Sequence, residues 1–322
     1  MARIPASVAA VRRAVRRSLP KDGLVLVACS GGADSLALAS AARFVGREVG
    51  LVTVDHGLQE GSATRARAVA SWALDAGFAP VEVSTVAVTG LPGGPEAAAR
   101  TARYEALSSV AARLEAVAVL LGHTRDDQAE TVLLALARGA GPRGLAGMPA
   151  RKGIFVRPLL DVARADTRKA CAAQGLVPWD DPHNVDPAFA RSRVRGAALP
   201  ALVEALGPAV VANLARSAGQ IAADNAALDA LAREALLSAY EKGAPPSLTI
   251  SYLSGLVDAV RTRVLHAWAR ELGAPGSALS HRHVEALDAL ITDWHGQGPV
   301  HLPGGIQVAR QAGRLVRGPA AL

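Results

Sequence analysis

The chain has 322 residues, of which 50% are hydrophobic and 20% charged, a composition typical of a folded globular protein with two or three domains. Its two cysteines, Cys29 and Cys171, exclude a disulfide framework and a four-cysteine metal site, and they suit a reducing compartment. Aromatic residues make up only 3%, which argues against a base-stacking platform. The net charge of +7 favours a polyanionic partner, unless the many arginines only reflect a GC-rich genome.

A basic amphipathic helix is predicted at the N-terminus, where Val8, Val11 and Val15 recur at helical spacing. The residues of its basic face are Arg12, Arg13, Arg16 and Arg17. No apolar run in the chain reaches the roughly 18 residues of a membrane span, and no continuous apolar segment marks a secretory signal. A cytoplasmic location without a membrane partner is therefore expected, with an organellar transit peptide as the alternative.

Short apolar runs alternate with helical segments in the first half of the chain. The runs occupy residues 24–28, 49–54, 80–86 and 116–122. Each is too short for a helix and rich in β-branched residues, so each predicts a buried strand. This alternation indicates an α/β fold with a doubly wound, Rossmann-like parallel sheet, whose ligands bind beyond the carboxyl ends of the strands.

The second half predicts a different architecture. Residues 198–241 have a helical pattern broken at Gly207-Pro208, and residues 299–318 alternate around turn glycines as in a β-hairpin. We expect an α/β domain over 1–205 and a smaller, mainly helical domain over 206–322 that ends in the hairpin. The first carries 25 basic and 19 acidic side chains, and the second carries 10 and 9.

The first predicted strand leads directly into a glycine turn and a helix. The turn consists of Ser30, Gly31, Gly32, Ala33, Asp34 and Ser35. Backbone N–H groups of such a turn bind anions, which favours a phosphate ligand. The Asp34 carboxylate would repel phosphate unless a divalent cation lay between them, which suggests Mg²⁺. An ordinary capped turn is the alternative, and a P-loop kinase is not expected because GxxxxGK[ST] is absent.

Other polar residues follow the later strands. His56 comes after the second strand, where it could bond a nucleotide phosphate or base. Arg100 and Arg103 lie three apart on one predicted helix and can point at a single anion. Arg191 and Arg195, one turn apart, suit a phosphate backbone. Taken singly, a histidine such as His56 is more often structural, and a pair such as Arg100 and Arg103 usually forms a solvated face.

Acidic residues dominate the helix start after the fourth strand. This cluster consists of His123, Asp126, Asp127 and Glu130. Asp126 and Glu130 are four apart and share a helix face. Acids beside a phosphate loop are unfavourable unless they bind a cation, for which Mg²⁺ and a substrate ammonium are the candidates. Capping of the helix by its acids is the alternative.

Seven motifs, in order over about residues 23–200, together resemble one family. SGGADS at 30–35 is similar to the SGGxDS pyrophosphatase loop of the N-type ATP pyrophosphatases, or PP-loop family. The other six resemble its tRNA(Ile)-lysidine synthase branch: VDHGL (54–58), EAAARTARY (96–104), LGHTRDDQAET (121–131), RGAGPRGLAGM (138–148), RPLL (157–160) and DPHNVD (181–186), the last followed by Arg191 and Arg195. The chain departs from the family pattern at Gln59 and Ser192, which weakens role assignments near those positions.

The resemblance implies a carbon–nitrogen ligase that uses ATP and Mg²⁺. Such an enzyme transfers AMP from ATP to the carbonyl oxygen on carbon 2 of the wobble cytidine in a CAU-anticodon tRNA(Ile), with release of pyrophosphate. The ε-amine of L-lysine then bonds to carbon 2 as AMP leaves. It implies catalytic roles for Asp34, His123, Asp126, Asp127 and Glu130. It implies nucleotide contacts from residues 30–35, His56 and Arg103, metal contacts from Asp34 and Asp127, and tRNA contacts from Arg191 and Arg195. It also implies that residues 1–205 form the PP-loop ATP pyrophosphatase domain and residues 206–322 the tRNA- or substrate-binding domain.

Two alternatives are weighed against this function. A tRNA thiolase on the same fold would need paired reactive cysteines, often CxxC, whereas Cys29 and Cys171 are far apart in sequence. A catalytically silent tRNA-binding module is disfavoured by the intact SGGADS and DDQAET strings. The sequence leaves the oligomeric state open, a homodimer included.

Overall fold

The computed structural model describes residues 4–55, 57, 61–86, 95–181, 186–240 and 247–318, with backbone alone at 95–97. The chain divides into two compact units, Met1–Ala222 and Ala223–Leu322. The domain boundary expected at 205/206 remains a prediction.

The first unit alternates strands and helices as the sequence pattern predicts. Its elements are α1 (Ala6–Ser18), β1 (Val25–Ala28), α2 (Ala33–Val45), β2 (Val49–Asp55), α3 (Ser62–Asp75), β3 (Val81–Thr85), α4 (Pro95–Arg113), β4 (Ala118–Leu120), α5 (Arg125–Ala137), α6 (Pro142–Leu145), β5 (Arg151–Lys152), β6 (Phe155–Val156), α7 (Arg164–Ala172), α8 (Ala190–Arg193), a π-helical turn (Val194–Ala198), α9 (Leu199–Leu206) and α10 (Val210–Ala239), which continues into the second unit. All four predicted strands are present, but β3 is not buried as predicted, because it lies at the edge of the sheet; β5 and β6 are additional.

The strands form one six-stranded sheet in the order β3-β2-β1-β4-β6-β5. All neighbours are parallel except the short β5, which pairs antiparallel with β6. Val25 and Val27 of β1 pack into a core with α1, α2 and α7, whereas Leu26 packs into a second core with α4. Burial on both faces explains why these strands are continuously apolar.

The strand order creates a switch point between β1 and β4. The chain proceeds outward from β1 to β2 and β3, then returns to place β4 on the other side of β1. Loops at the carboxyl ends of two such strands diverge and leave a crevice, which is where open α/β sheets bind ligands. The loop after β1 contains SGGADS, and the turn after β4 contains His123.

The second unit contains an antiparallel sheet and three short helices besides the end of α10. These elements are β7 (Leu248–Thr249), α11 (Ile250–Ser254), α12 (Asp258–Glu271), α13 (His281–Thr292), β8 (Val300–Leu302), β9 (Ile306–Gln311) and β10 (Arg314–Arg317). The predicted terminal hairpin is present as β9–β10, and β8 and β7 extend it to four strands in the order β7-β10-β9-β8. The core of this unit surrounds the fully buried Trp268.

Among the described residues, no single helix has the length and hydropathy to cross a membrane. The bent pair Ala190–Leu206 and Val210–Ala239, which meet at 100°, passes that test together by length and composition alone.

Candidate active site

The turn after β1 is shaped to expose its backbone. Gly31 has φ +84°, a left-handed conformation that favours glycine, and its carbonyl accepts a hydrogen bond from the Trp179 N–H at 3.0 Å. The Ser35 hydroxyl donates to the Gly32 carbonyl at 2.9 Å and accepts the Ser30 N–H at 3.2 Å. Helix α2 starts directly afterwards at Ala33. Because the first N–H groups of a helix lack helical partners, this turn has the geometry of a phosphate site.

The turn after β4 packs directly against this loop. A Cβ atom at Gly122 would lie 3.1 Å from the Ser35 backbone nitrogen and 3.2 Å from the Asp34 carbonyl carbon and oxygen. Only glycine therefore fits there without displacing the loop. The close approach brings the acidic start of α5 beside SGGADS, as the carboxyl-end argument predicts.

Three carboxylates from these turns converge on one guanidinium, that of Arg164 at the start of α7. Arg164 donates to Asp127 Oδ1 at 2.8 Å and to Glu130 Oε1 at 3.0 Å. Its Nε lies 3.6 Å from Asp34 Oδ2, and the Thr167 hydroxyl donates to Asp34 Oδ1. The structure thus brings together three of the predicted site residues around an arginine that the sequence analysis did not single out.

Arg191 and Arg195 reach the same cluster from α8 and the π-helical turn. Arg195 Nε donates to Glu130 Oε1 at 2.8 Å, and Arg191 Nε lies 3.1 Å from Glu130 Oε2. Arg191 also donates to the Thr131 hydroxyl at 2.7 Å. Both arginines therefore neutralise a fully buried glutamate, and their tRNA contact remains a prediction.

Asp126 and Asp127 are both held at helix starts, but differently. Asp127 Oδ2 accepts the N–H and the hydroxyl of Thr124 at 2.8 and 2.7 Å, which caps α5. Asp126 Oδ2 accepts the Arg164 N–H at 2.8 Å, which caps α7. The capping alternative raised from the sequence is thus realised, and it coexists with the clustering of acids beside the phosphate loop.

Burial and charge set the protonation of the cluster. Burial raises the pKa of Asp34, against opposing effects of Thr167 and Arg164. Burial also raises the pKa of Asp127, but Arg164 and Thr124 outweigh it, so the net shift is downward. Burial lowers the pKa of Arg164, but the three carboxylates raise it by more, so the net shift is upward and the guanidinium stays charged.

A second, cationic group lies on the other side of His123. Burial lowers the pKa of His123, and Arg103 and Arg157 lower it further, so the imidazole is neutral. Arg157 donates to the Tyr104 hydroxyl at 3.1 Å, and the Arg100 guanidinium lies 5.1 Å from the Tyr104 ring centroid. In the part of the chain that the structure describes, three buried nitrogens here lack a hydrogen-bond partner: Arg103 Nε, His123 Nδ1 and Arg157 Nε.

The structure does not test the predicted nucleotide contact of His56, because this residue lies outside the described residues. The described residues contain no group of three or more His, Cys, Asp or Glu side chains placed to hold a metal, and the metal contacts of Asp34 and Asp127 remain a prediction. The sequence analysis missed Arg164 and Thr167, although several acids at one predicted sheet edge imply a nearby cation, because buried charges are paired.

Comparison with known proteins identifies the family. A model of the PP-loop domain matches residues 7–202, and a model of the TilS substrate binding domain matches residues 248–316. The chain is 65% identical to the tRNA(Ile)-lysidine synthase of Salinispora tropica, over 98% of this chain and 97% of that protein. The chain belongs to the tRNA(Ile)-lysidine synthase family. The lysidine synthase of Thermobifida fusca is 53% identical over 97% of this chain and 98% of that protein. The lysidine synthase of Streptomyces coelicolor is 56% identical over 92% of this chain and 86% of that protein.

A solved structure supports the fold at greater distance. The U34-tRNA thiolase NcsA from Methanococcus maripaludis, with its [4Fe-4S] cluster, matches with a TM-score of 0.54 and 18% identity. The match covers 67% of this lysidine synthase family member and 80% of the thiolase chain. At that identity the likeness shows the shared PP-loop fold alone.

Proposed function

We propose that the chain is an ATP-dependent ligase that forms lysidine on tRNA(Ile). The observation that carries this proposal is the SGGADS loop at the β1–β4 switch point, with Gly122 packing the acidic start of α5 directly against it. In one crevice, the phosphate site can bind ATP and the carboxylates can bind a cationic co-substrate.

In the first step, the carbonyl oxygen on carbon 2 of the wobble cytidine bonds to the α-phosphorus of ATP, and pyrophosphate leaves. The loop N–H groups at residues 30–35 hold the leaving pyrophosphate. The orphaned nitrogens of Arg103 and Arg157 supply donors for developing negative charge, which supports a position for the reacting phosphate beside His123. The base must leave its stack to enter the crevice.

In the second step, the ε-amine of lysine bonds to carbon 2 and AMP leaves. The lysine ammonium first loses a proton, and a carboxylate at the start of α5 is the acceptor we assign. Asp126 accepts one backbone N–H, from Arg164, whereas Glu130 receives Arg164, Arg191 and Arg195. A lysine ammonium at Glu130 would thus compete with guanidinium groups. Measuring the KM for lysine in Asp126→Asn and in Glu130→Gln identifies which carboxylate contacts it.

Asp34 and Asp127 are the residues that would hold Mg²⁺. Both are hard oxygen donors beside the loop, and Mg²⁺ commonly combines one or two carboxylates with substrate phosphate oxygens. The raised pKa of the buried Asp34 fits this role, because a bound cation would favour its charged form. When bound, the ion would neutralise charge on the phosphates of ATP.

The thiols do not support the thiolase alternative. Both are buried, and burial raises the pKa of Cys29 and raises that of Cys171 to about 11. Protonated thiols are poor nucleophiles, so neither is suited to carry sulfur.

The function is tested by incubating the protein with ATP, labelled lysine and total tRNA. We expect label in one CAU-anticodon tRNA(Ile) and release of pyrophosphate that depends on that tRNA. Gly31→Val should abolish both, because a side chain at φ +84° distorts the loop and meets Val69. Label in no RNA species, or unchanged ATP consumption by Gly31→Val, would contradict the proposal.

A further inference from the structure

A tyrosine that the proposed chemistry does not use lies among the arginines beside His123. The ring centroid of Tyr104, on α4, is 5.1 Å from the Arg100 guanidinium and 5.7 Å from that of Arg103. The Tyr104 hydroxyl accepts a hydrogen bond from Arg157 at 3.1 Å. One side chain thus contacts three arginines, two from its own helix and one from the turn after β6.

The Tyr104 ring is fixed by packing. It meets the ring of Phe155 on β6 edge to face, with centroids 4.8 Å apart and an interplanar angle of 75°. Both rings pack against the buried core that contains Leu107 and Val119. The contacts with Arg100 and Arg103 add cation–π attraction on the same ring. The phenolic oxygen therefore has a defined position from which it can orient Arg157.

Arg157 is held by neutral acceptors. It is only 5% exposed, and its terminal nitrogens donate to the Pro149 carbonyl at 2.9 Å and to Tyr104. Among the described side chains, Arg157 and Arg103 form no ion pair, and the Nε of each lacks a hydrogen-bond partner. The arginines around Glu130, by contrast, are paired with carboxylates.

A phenol orients a guanidinium without neutralising it. A carboxylate at the place of Tyr104 would hold Arg157 equally well, but it would cancel the charge. Burial of a charge without a counter-ion is unfavourable, and burial accordingly lowers the pKa of Arg103. This arrangement is suited to an anion that arrives with a substrate and completes the pairing.

The sheet places this cationic group beside the phosphate loop. His123 follows β4 and Arg157 follows β6, and these neighbouring strands are parallel. Strand β1, which leads into residues 30–35, is parallel to β4 on its other side. The carboxyl ends of all three strands therefore lie at one edge, so a nucleotide on the loop can present a further phosphate to the arginines.

We propose that Tyr104 is a positioning residue for the step in which the cytidine oxygen bonds to the α-phosphorus. Its hydroxyl orients Arg157 and its ring orients Arg103, so that their unpartnered Nε groups face the reacting phosphate. Because the phenol is neutral, both positive charges remain available to the charge that develops there. The inference rests on the proposed function, because it states how that reaction's phosphate is held.

The charge of Tyr104 itself provides a test. Burial raises the pKa of Tyr104, but the three guanidinium groups around it outweigh burial, so the net shift is downward. These groups are Arg100 and Arg103 on α4 and Arg157 after β6. Farther out, Arg191 acts on Arg103 and on the neutral His123, and Asp127 acts on His123. As pH rises through the pKa of Tyr104, the phenolate cancels one guanidinium charge, so the rate should fall.

The experiment measures pyrophosphate release in a single turnover with ATP and the substrate tRNA. Lysine is omitted, so that the ionisation of its amine does not enter the pH profile. In Tyr104→Phe, which keeps the ring, we expect a rate constant about tenfold lower, because Arg157 loses one hydrogen bond. The apparent affinity for ATP should change by less than about threefold, because residues 30–35 are unaltered. The fall in rate at alkaline pH should disappear, because phenylalanine cannot ionise.

Two further variants frame this result. Tyr104→Glu keeps an acceptor for Arg157 but adds a negative charge, so we expect a larger loss of rate than in Tyr104→Phe. Tyr240→Phe is the matched control, because it removes the same hydroxyl from a residue outside both matched family models. It should change neither the rate nor the pH profile. Thermal unfolding of each variant checks that it is folded.

Three results would overturn the inference. The first is a wild-type rate in Tyr104→Phe. The second is a lower rate with the alkaline fall retained, which would give Tyr104 a merely structural role. The third is a smaller loss in Tyr104→Glu than in Tyr104→Phe, with both variants folded, since neutrality would then be irrelevant.

A measurement without turnover separates this inference from the proposed function. Phenolate absorbance is followed against pH in the wild type and in Tyr104→Phe, and the difference reports the ionisation of Tyr104. Added ATP should raise the pKa of Tyr104, because a phosphate beside it disfavours the phenolate. No change with ATP would overturn the inference. If ATP raises this pKa but the wild-type chain forms no lysidine, the proposed function fails and the placement of a phosphate beside Tyr104 stands.

Discussion

At the scale of single residues, the buried Glu130 lies at the centre of a cluster of partly buried arginines in the first unit. Glu130 is fully buried and contacts Arg164, Arg191 and Arg195. The attraction offsets the desolvation of all four groups only while the set is complete. Without Glu130, the partly buried guanidinium of Arg191 loses its carboxylate partner, whereas those of Arg164 and Arg195 keep Asp127.

We therefore predict that Glu130→Gln destabilises the protein strongly. The expected loss is about 3–5 kcal/mol in the free energy of unfolding, because the isosteric amide cannot neutralise three arginines. Denaturant unfolding checks this, with Glu105→Gln, an exposed glutamate on α4, as the control expected to change little. Equal stability of the two variants would show that the cluster is solvated.

For Asp34 we predict the opposite effect, a gain in stability when the carboxylate is removed. Its pKa is raised by burial, so the folded state favours the protonated carboxyl. That stabilisation is complete below the pKa of the unfolded chain and is lost as pH rises through the folded pKa. Asp34→Asn should therefore abolish ATP consumption yet raise Tm at pH 7, with a smaller gain near pH 4. A lower Tm than wild type at pH 7 would contradict this, and Asp22→Asn, at an exposed aspartate, is the control.

At the scale of elements, the site depends on how closely two turns approach. The loop after β1 and the turn after β4 touch through backbone atoms at Gly122, so their relative position is set by sheet register and by the absence of a side chain. The pairing of Val25 with Ala118 and of Val27 with Leu120 fixes that register.

Gly122→Ala should impair catalysis while the fold persists. The added methyl group would lie 3.1 Å from the Ser35 nitrogen, so the loop must shift by a few tenths of an ångström. Because a misplaced phosphate site costs rate steeply, we expect a loss of about 100-fold in pyrophosphate release. Gly219→Ala is the control: a methyl group added at this position on α10 meets no atom within 4 Å, so the change should leave activity unchanged and be neutral or stabilising for the fold. Wild-type activity in Gly122→Ala would show that the loop position is not critical.

At the scale of the whole molecule, the net charge of +7 is unevenly spread, and most of the basic excess lies in residues 1–205. A basic enzyme that binds tRNA releases counterions from the phosphate backbone, so its affinity depends on salt. At the proposed site, ATP would bind in a crevice between turns, where screening is weaker.

We predict that raising the salt from about 50 to about 200 mM weakens tRNA binding by at least about tenfold. The KM for ATP, measured at saturating tRNA, should change by less than about threefold over the same range. Filter binding and steady-state kinetics on one preparation check both. If tRNA affinity and the KM for ATP changed equally with salt, the excess of basic residues would not contribute specifically to tRNA binding.

Much of this protein could be predicted from local pattern. The β-branched runs of β1 to β4 and the carboxyl-end rule placed residues 30–35 and the acids of α5 at one edge of the sheet, since strand period and chain direction are local properties. The short β5, β6 and β7 were not predicted, because two-residue strands have no periodicity and form only when a partner strand is present.

What the sequence determined by itself is the order of strands and helices, the phosphate loop and the family to which the chain belongs, because turn chemistry and motif spacing are written in consecutive residues. What only the tertiary structure decided is which charges meet. Arg164 joins Asp34, Asp127 and Glu130, because ion pairs of this kind depend on distances between segments that are remote along the chain.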